Sequence, residues 1–551
     1  MPDRWTDRLP GAIDAEVLVV GAGPVGLTLA LELGRRGVRC TLVEKKDAPQ
    51  FLPKMERCNA RTMEIYRRMG LTEKIRAAGL PSDVPMDVYV ALALNEPPLL
   101  QLRYPSVAEA KAQIAACTDG SMPLEPYQLI SQYTLEPLLK AEAERMACLD
   151  VRFGCAVVSL SQEADRASAL IETNDGRTVT LTARYIVGCD GGGSTIRRQL
   201  GIPLRGEGNI AQLYQALYYC PALFEMLPIG DGPGRGRHYH IADAHSTFLI
   251  MQDSTKHWTL HASMQTPEQM VEQFSRTIGV PVGFEMLHVG PWKLNLLLAD
   301  RYGEGRVFIA GDAAHLVIPT GGLGMNSGVG DAIDLAWKLM GTLRGWGGPQ
   351  LLRSYEIERR QVGDRNIGAS RYAFLGRRKW RSQYRPDIRD RSPEGVRTRE
   401  NLARVAASEQ RKSNEMIGAE LGYRYVGSPI IWEEPGGPEH LFREYVPTTW
   451  PGARLPHVWL KGERAMQDLL GDGYTLLRLG PTAVDMSPLE DAMRARGAPF
   501  ATVTVDDEAA RDVYGYDLIL LRPDLHVAWR GNHPPPDAAH LAALVTGSDP
   551  S

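Results

Sequence analysis

Apolar residues recur along the chain in blocks of two different periods, and the order of those blocks sets the first expectation. Glu16–Val20 is a short, nearly continuous apolar run, the pattern of a strand buried on both faces. It runs into Gly21–Gly26, after which Leu27–Arg36 follows at helical spacing and stops at Gly37, a residue suited to closing a helix. Val38–Val43 returns to a strand pattern. A strand, a tight turn, a helix and a second strand predict the start of a parallel sheet.

Further along, Arg61–Met69 and Thr134–Met146 read as helices. Val151–Phe153, Ala156–Leu160 and Ala167–Thr173 read as strands, with Asn174-Asp175-Gly176 as the hairpin turn into Thr178–Ala183. Between about Ile202 and Asp300 apolar and polar residues alternate, and Tyr, His and Trp are frequent, which predicts a mostly antiparallel sheet covering something. Val307–Ala310 is again a buried strand, and Gly328–Arg344 a long helix. Residues 351–417 are helical with a charged interruption around Arg385–Arg399. Beyond Gly422, four short strands at Tyr474–Arg478, Ala501–Val505, Asp517–Leu521 and His526–Arg530 mark a separate α/β unit.

Composition narrows the class. A chain of 551 residues is too long for one core. With 44% hydrophobic and 23% charged residues it matches a globular enzyme, and a net charge of -4 speaks against nucleic acid. No apolar run is long enough to span a membrane, and the charged N-terminus lacks a secretory core, so a cytoplasmic location is the default expectation. Seven cysteines, none in C-x-x-C and none after Cys220, predict neither a disulfide framework nor a metal site.

Gly21-Ala-Gly23-Pro24-Val-Gly26 fits G-x-G-x-x-G, and its place between strand and helix turns a weak pattern into a dinucleotide site. The first glycine allows the turn, the second lets backbone approach a pyrophosphate, and the third lets helix and strand pack. Glu44, ending the next strand, would accept from ribose hydroxyls. No second fingerprint exists, since Gly230–Gly236 has the wrong spacing and no preceding strand. If a nicotinamide cofactor, NADPH or NADH, is used, it must therefore bind transiently elsewhere.

Two later glycine signatures complete a set. Ile186–Arg197 carries Asp190-Gly191 at a strand–helix junction. Arg306–His315 carries Gly311-Asp312 and leads into Pro319-Thr-Gly-Gly322-Leu323-Gly324-Met325-Asn326. In this order they resemble the single-component FAD-dependent aromatic hydroxylases, the phenol hydroxylase, hydroxybiphenyl monooxygenase and polyketide hydroxylase branch. The resemblance implies a mixed α/β fold. Its parts are a Rossmann-like FAD-binding unit (1–201 and 300–420), an inserted antiparallel-sheet substrate unit (202–299) and a thioredoxin-like C-terminal unit (421–551). That last unit has no cysteine, which excludes dithiol exchange and leaves a structural or homodimer-supporting role. The implied reaction hydroxylates a phenolic or related small aromatic substrate with O2 and NAD(P)H through a flavin C4a-hydroperoxide. A tailoring or resistance monooxygenase acting on a large polyketide or antibiotic is the alternative, and a flavin-binding sensor without turnover the rival from another class.

By the same resemblance Asp312 holds the ribityl chain, and the backbone of Gly322, Leu323, Gly324, Met325 and Asn326, at a helix start, stabilises negative charge on the flavin. Pro319 lines the substrate side of the flavin. Asp190 serves both FAD and nicotinamide, and Gln132 contacts the diphosphate unless it merely caps a helix. Arg197 is either part of that site or a structural anchor. Pro53–Glu64 resembles the family's P-R-x-x-x-x-N-x-R-T-M-E segment, with Lys54 where Arg is usual. Lys keeps the charge and loses the bidentate fork. Glu56 stands where relatives carry a base that deprotonates the substrate hydroxyl. It serves as one if burial raises its pKa; otherwise it is a surface partner of Lys54 or Arg57. His315 reads as a buttress of the flavin loop. Of Tyr214, Tyr218, Tyr219, His238, Tyr239, His240 and His245, one or two are expected to touch substrate. The run Arg377–Arg385 reads as a solvated helix end.

Overall fold

The computed structural model describes residues 13–52, 54–479 and 484–549; Pro53, the first residue of the predicted loop motif, lies outside them. Ala15–Val20 pairs in parallel with Cys40–Glu44 on one side and Thr178–Gly188 on the other. Leu149–Phe153 and Val307–Ile309 extend the sheet in parallel at either end. Val17, Leu18 and Val19 are buried, as an apolar run covered on both faces requires. The predicted hairpin closes through Gly176 at φ +81°, joining Ala167–Thr173 to Thr178–Gly188 in antiparallel register.

A second sheet of eight strands stands beside the first. Its long central ribbon pairs Leu204–Tyr219 with Glu285–Ala299, and His257–Ala262, Phe248–Met251 and His238–Ile241 follow in antiparallel steps. The expectation of an antiparallel sheet over 202–299 holds, with one correction. His238–Ile241 pairs in parallel with Val88–Ala91, which in turn pairs with Leu100–Leu102. Residues 88–102, assigned by sequence to the first unit, thus join the second sheet. Val88-Tyr-Val-Ala is uniformly apolar, so its periodicity says nothing about which sheet it enters.

The helix expected from Gly328 starts at Gly324 and runs to Leu343. Its first turn, Gly-Met-Asn-Ser, is too polar and glycine-rich to show a helical period. Pro349–Arg381 is a single long helix, and the break before the next helix, Pro393–Glu409, falls at 382–392. In the C-terminal unit the strand order is Phe500–Val505, Tyr474–Leu479, Leu518–Leu521, Val527–Gly531, the first pair parallel and the rest antiparallel. With helices Ser487–Ala495, Glu508–Tyr514 and Ala538–Val545 this is a thioredoxin-like arrangement. One face of that sheet, with Tyr474, Leu476, Leu518 and Trp529, continues the core of the first unit through Trp337 and Trp346. Among the described residues, no helix is long and apolar enough to cross a membrane.

Candidate functional site

One cavity of about 790 Å³ runs from the glycine turn of the first sheet to the inner face of the second. Gly21, Gly23, Pro24, Glu44, Lys54, Glu56, Gln132, Asp190, Asp312, Pro319, Gly322, Gly324, Met325 and Asn326 all line it. The sequence-predicted residues are thus brought together, apart from Gly26, buried in the helix that follows the turn, and Leu323, buried at the start of the later helix.

The glycine turn separates its three tasks. A Cβ on Gly21, at φ +108°, would lie 2.4 Å from the Cys189 carbonyl, and one on Gly26 would lie 1.9 Å from the Gly21 carbonyl. Those two glycines serve the chain's own packing. A Cβ on Gly23 would meet no protein atom within 3.8 Å, its nearest neighbour being Glu136 Oε1 at 3.9 Å. Nothing in the protein forbids a side chain there. The space is a cradle facing the first turn of the Pro24–Arg35 helix, which has Pro24 at its start and no side-chain cap. Free N–H groups and a helix N-terminus around an open cradle are the donor set a pyrophosphate fits.

Glu44 is already oriented, accepting from the backbone N–H of Ala22 at 2.9 Å and of Lys46 at 3.1 Å. Gln132 donates to Glu136 at 2.6 Å, and burial pushes the Glu136 carboxyl up. Asp190 caps the short helix that follows it, accepting from Ser194 Oγ and from the N–H groups of Thr195 and Ile196 at 2.7 and 3.2 Å. Its carboxylate holds the Gly191–Gly193 turn in place. Arg197 donates to the carbonyls of Ala313 and Gly192 at 3.0 and 3.1 Å, so of its two readings the structural anchor fits.

The second glycine loop is held from below. Asp331 accepts from the Gly311 N–H at 3.0 Å, from His315 Nε2 at 2.7 Å and from Arg359 Nε at 2.8 Å. His315 is therefore the buttress its sequence context suggested. Burial pushes the Asp312 carboxyl up, with His315 and Lys54 pulling the other way. Asn326 ties two loops together, accepting from the Asn59 N–H at 2.9 Å and donating to the carbonyls of Arg57 and Gly322. Arg57, read from the sequence only as a surface partner for Glu56, donates to the Gly321 carbonyl and to Glu420.

Glu56 requires a correction. It is neither a surface residue paired with Lys54 or Arg57 nor a carboxyl raised toward neutrality. Both its oxygens lie 2.9 Å from His238 Nε2. Burial pushes its pKa up, but His238, Arg237 and Arg57 together outweigh that and hold it at about 2. His238 is pushed down to about 4 by burial, so the pair at neutral pH is a carboxylate accepting from a neutral imidazole.

Of the seven aromatic and histidine candidates on the second sheet only His238 lines the cavity. Strand alternation turns Tyr239 to the opposite face, into a core it shares with Tyr218 and Trp258. The wall the sequence did not single out is Phe248, His261 and Trp292. Phe248 stacks on His261 at 4.4 Å and 7°, and His261 meets Trp292 at 4.8 Å. The run read as a solvated helix end is also corrected: Trp380 is fully buried, Arg381 donates to the carbonyls of Ile241 and Thr247, and Arg377 lines the cavity. The signal was available, since Ala373, Arg377, Trp380 and Arg381 share one helical face.

Comparison with known proteins agrees with this geometry. The family model described as an FAD binding domain matches residues 14–370, and that of the aromatic-ring hydroxylase C-terminal domain matches 448–547. The FAD-dependent monooxygenase apdD of Emericella nidulans is 32% identical, over 97% of this chain and 90% of its own. Aklavinone 12-hydroxylase RdmE of Streptomyces purpurascens is 31% identical, over 96% and 97%. The solved structure of chromopyrrolic acid-soaked RebC with bound 7-carboxy-K252c superposes with a TM-score of 0.88 at 32% identity, covering 98% of this chain and all of that one. With family models over both ends and relatives matched nearly throughout, the chain belongs to the FAD-dependent aromatic-ring hydroxylases, and FAD is its cofactor.

Proposed function

We propose that the protein is a monooxygenase that hydroxylates a flat polycyclic aromatic compound, with O2 and NAD(P)H as co-substrates. The observation that carries this reading is the continuity of one cavity, with an open cradle for a dinucleotide at one end and a wall of stacked rings at the other. Phe248, His261 and Trp292 offer ring faces in series, a surface that suits several fused rings better than one phenol. The names of relatives acting on aklavinone support the same preference.

FAD bound here supplies the reducing and oxygen-activating chemistry that places one oxygen atom on the ring. The residues that would hold it are the Gly21–Gly26 turn and its helix for the pyrophosphate and Glu44 for the ribose. Lys54 and Gln132 stand at the diphosphate, Asp312 at the ribityl chain, and the backbone of Gly322–Asn326 at the flavin's pyrimidine edge. Asp190 contributes by shaping the Gly191–Gly193 turn rather than by direct contact. Pro319 bounds the substrate side.

Glu56, ionised and oriented by His238, accepts a hydrogen bond from a substrate hydroxyl and draws electron density into the ring. At about 2 its pKa lies far below the value of about 10 for a phenol, so it polarises the hydroxyl and leaves the proton there. A screen of aromatic ligands for stimulated NADPH and NADH consumption, with product mass measured, tests the function. Fused-ring compounds are expected to gain one oxygen atom, and Glu56→Gln to divert about tenfold more reducing equivalents to free hydrogen peroxide. Stimulation by no compound at all would sink the reading.

A further inference from the structure

Charge at the aromatic end of the cavity does not balance. Arg237 and Arg377 both line it, and Glu56 is the carboxylate that faces them. Both oxygens of Glu56 are engaged by His238. His238 and His261 add no further charge, since burial keeps both neutral. Arg237 approaches the Asn414 side-chain amide at 3.3 Å.

Arg377 has less. Its Nε is shielded from solvent and has no hydrogen-bond partner among the described residues, and its guanidinium carbon lies over the Phe248 ring, 4.9 Å from the centroid. Burial lowers it to about 10, which still leaves it charged at neutrality. The fully buried Arg359, Arg454 and Arg522 each meet a carboxylate at hydrogen-bonding distance, and Arg381 meets the carbonyls of Ile241 and Thr247. Arg377 is half-buried at the cavity wall, so its guanidinium faces the cavity and can take an acceptor from a ligand there. A carboxylate is the acceptor whose two oxygens match the planar N–H fork.

We infer that the substrate is an aromatic acid, its fused rings lying along Phe248, His261 and Trp292 and its carboxylate paired with Arg377. The inference rests on the reading of the cavity as an aromatic hydroxylation site and names the substrate class for it. Arg237, beside the same cavity, adds positive potential and makes the end selective for anions over neutral rings. The basic run of the long helix thereby serves recognition.

The test uses the FAD-loaded enzyme and matched ligands: anthraquinone-2-carboxylate, its methyl ester and its primary amide, and the corresponding hydroxyanthraquinone as a phenolate control. Binding is read from the perturbation of the flavin absorption band. The acid is expected to bind at least 30-fold more tightly than ester or amide, an advantage that shrinks at high salt. Arg377→Gln should abolish the preference while leaving ester and amide affinity within about threefold, and Arg377→Lys should restore part of it. Flavin content and the thermal midpoint of each variant establish that it is folded. Equal affinity for acid and amide in the native enzyme, or a preference that survives in Arg377→Gln, overturns the inference. If ester and amide nevertheless stimulate NAD(P)H consumption, the hydroxylase reading stands without it. If no member of the series binds or stimulates, both fall.

Discussion

Two regions of this protein bury charge, and they do so in opposite ways. At the seam between the C-terminal unit and the long helices, every buried ion faces its complement. Arg522 donates to both oxygens of Glu358 at 2.5 and 2.9 Å, to Asp334 at 3.0 Å and to Asp524 at 2.6 Å. Lys338 closes the cluster on Asp334 and Glu358 at 2.7 and 2.6 Å. Two cations thus meet three carboxylates, and burial pushes Asp334 up, which brings the cluster toward neutrality. At the aromatic end of the cavity the bonds are unfinished: Arg377 Nε lacks an acceptor, and both ring nitrogens of His261 lack partners. The glycine turn repeats the contrast, with Gly21 and Gly26 closed by backbone and Gly23 left open. At the seam the ions are satisfied within the protein; at the cavity Arg377 Nε, the ring nitrogens of His261 and the space at Gly23 are left for a ligand.

The comparison breaks if the seam proves dispensable. Arg522→Met leaves Glu358 and Asp524 buried with too few donors, and is expected to cost about 3–5 kcal/mol in denaturant unfolding. Replacing Arg522, Glu358, Asp334, Asp524 and Lys338 together by apolar residues of similar volume should recover much of that loss. A cost below about 1 kcal/mol for Arg522→Met alone would show that the pairing does not matter.

Acid titration tests both regions at once. His238, His457 and His526 are each pushed down to about 4, and His261 to about 3, chiefly by burial. A histidine whose folded pKa lies below its unfolded value contributes stability that is complete above about 6.5 and lost as pH falls through the folded pKa. The expected slope is about 1.4 kcal/mol per pH unit for each histidine between about pH 6 and 4. Denaturant midpoints collected across this range measure it. His261→Phe should flatten the slope by about one proton, and an unchanged slope would place His261 outside the buried set.

The smallest effect on stability, and the sharpest on function, belongs to Gly23→Ala. With no protein atom closer than 3.9 Å to the added methyl, the apoprotein should unfold within about 0.5 kcal/mol of the original. FAD affinity, measured by flavin fluorescence, should fall at least tenfold. Equal retention of FAD would mean that the cradle does not receive the pyrophosphate.

Much of this was legible in the sequence because the relevant signals are local. The parallel-sheet start, the hairpin at Gly176 and the four C-terminal strands follow from runs and turns only a few residues long. What escaped depends on distant parts of the chain meeting. Val88–Ala91 has the pattern of either sheet, and its partner His238–Ile241 is far along the sequence. The pKa of Glu56 could not be foreseen because its direction is set by His238 and Arg237, at the start of a strand the motif does not include. Arg377 was misread for a different reason: counting charges in a run hides which of them share a helical face with Trp380.

The seam carries one further implication, for how such a chain can be rearranged. Tyr474 of the C-terminal unit packs edge-on against Trp337 and Trp346, and Arg454 from the same unit donates to the buried Glu64 at 2.7 Å. A C-terminal unit grafted from a relative brings its own ions and rings to a socket cut for others. Functional chimaeras are therefore expected only when helix 324–343, Glu64 and Glu358 travel with it, so the heritable module is the seam rather than the domain.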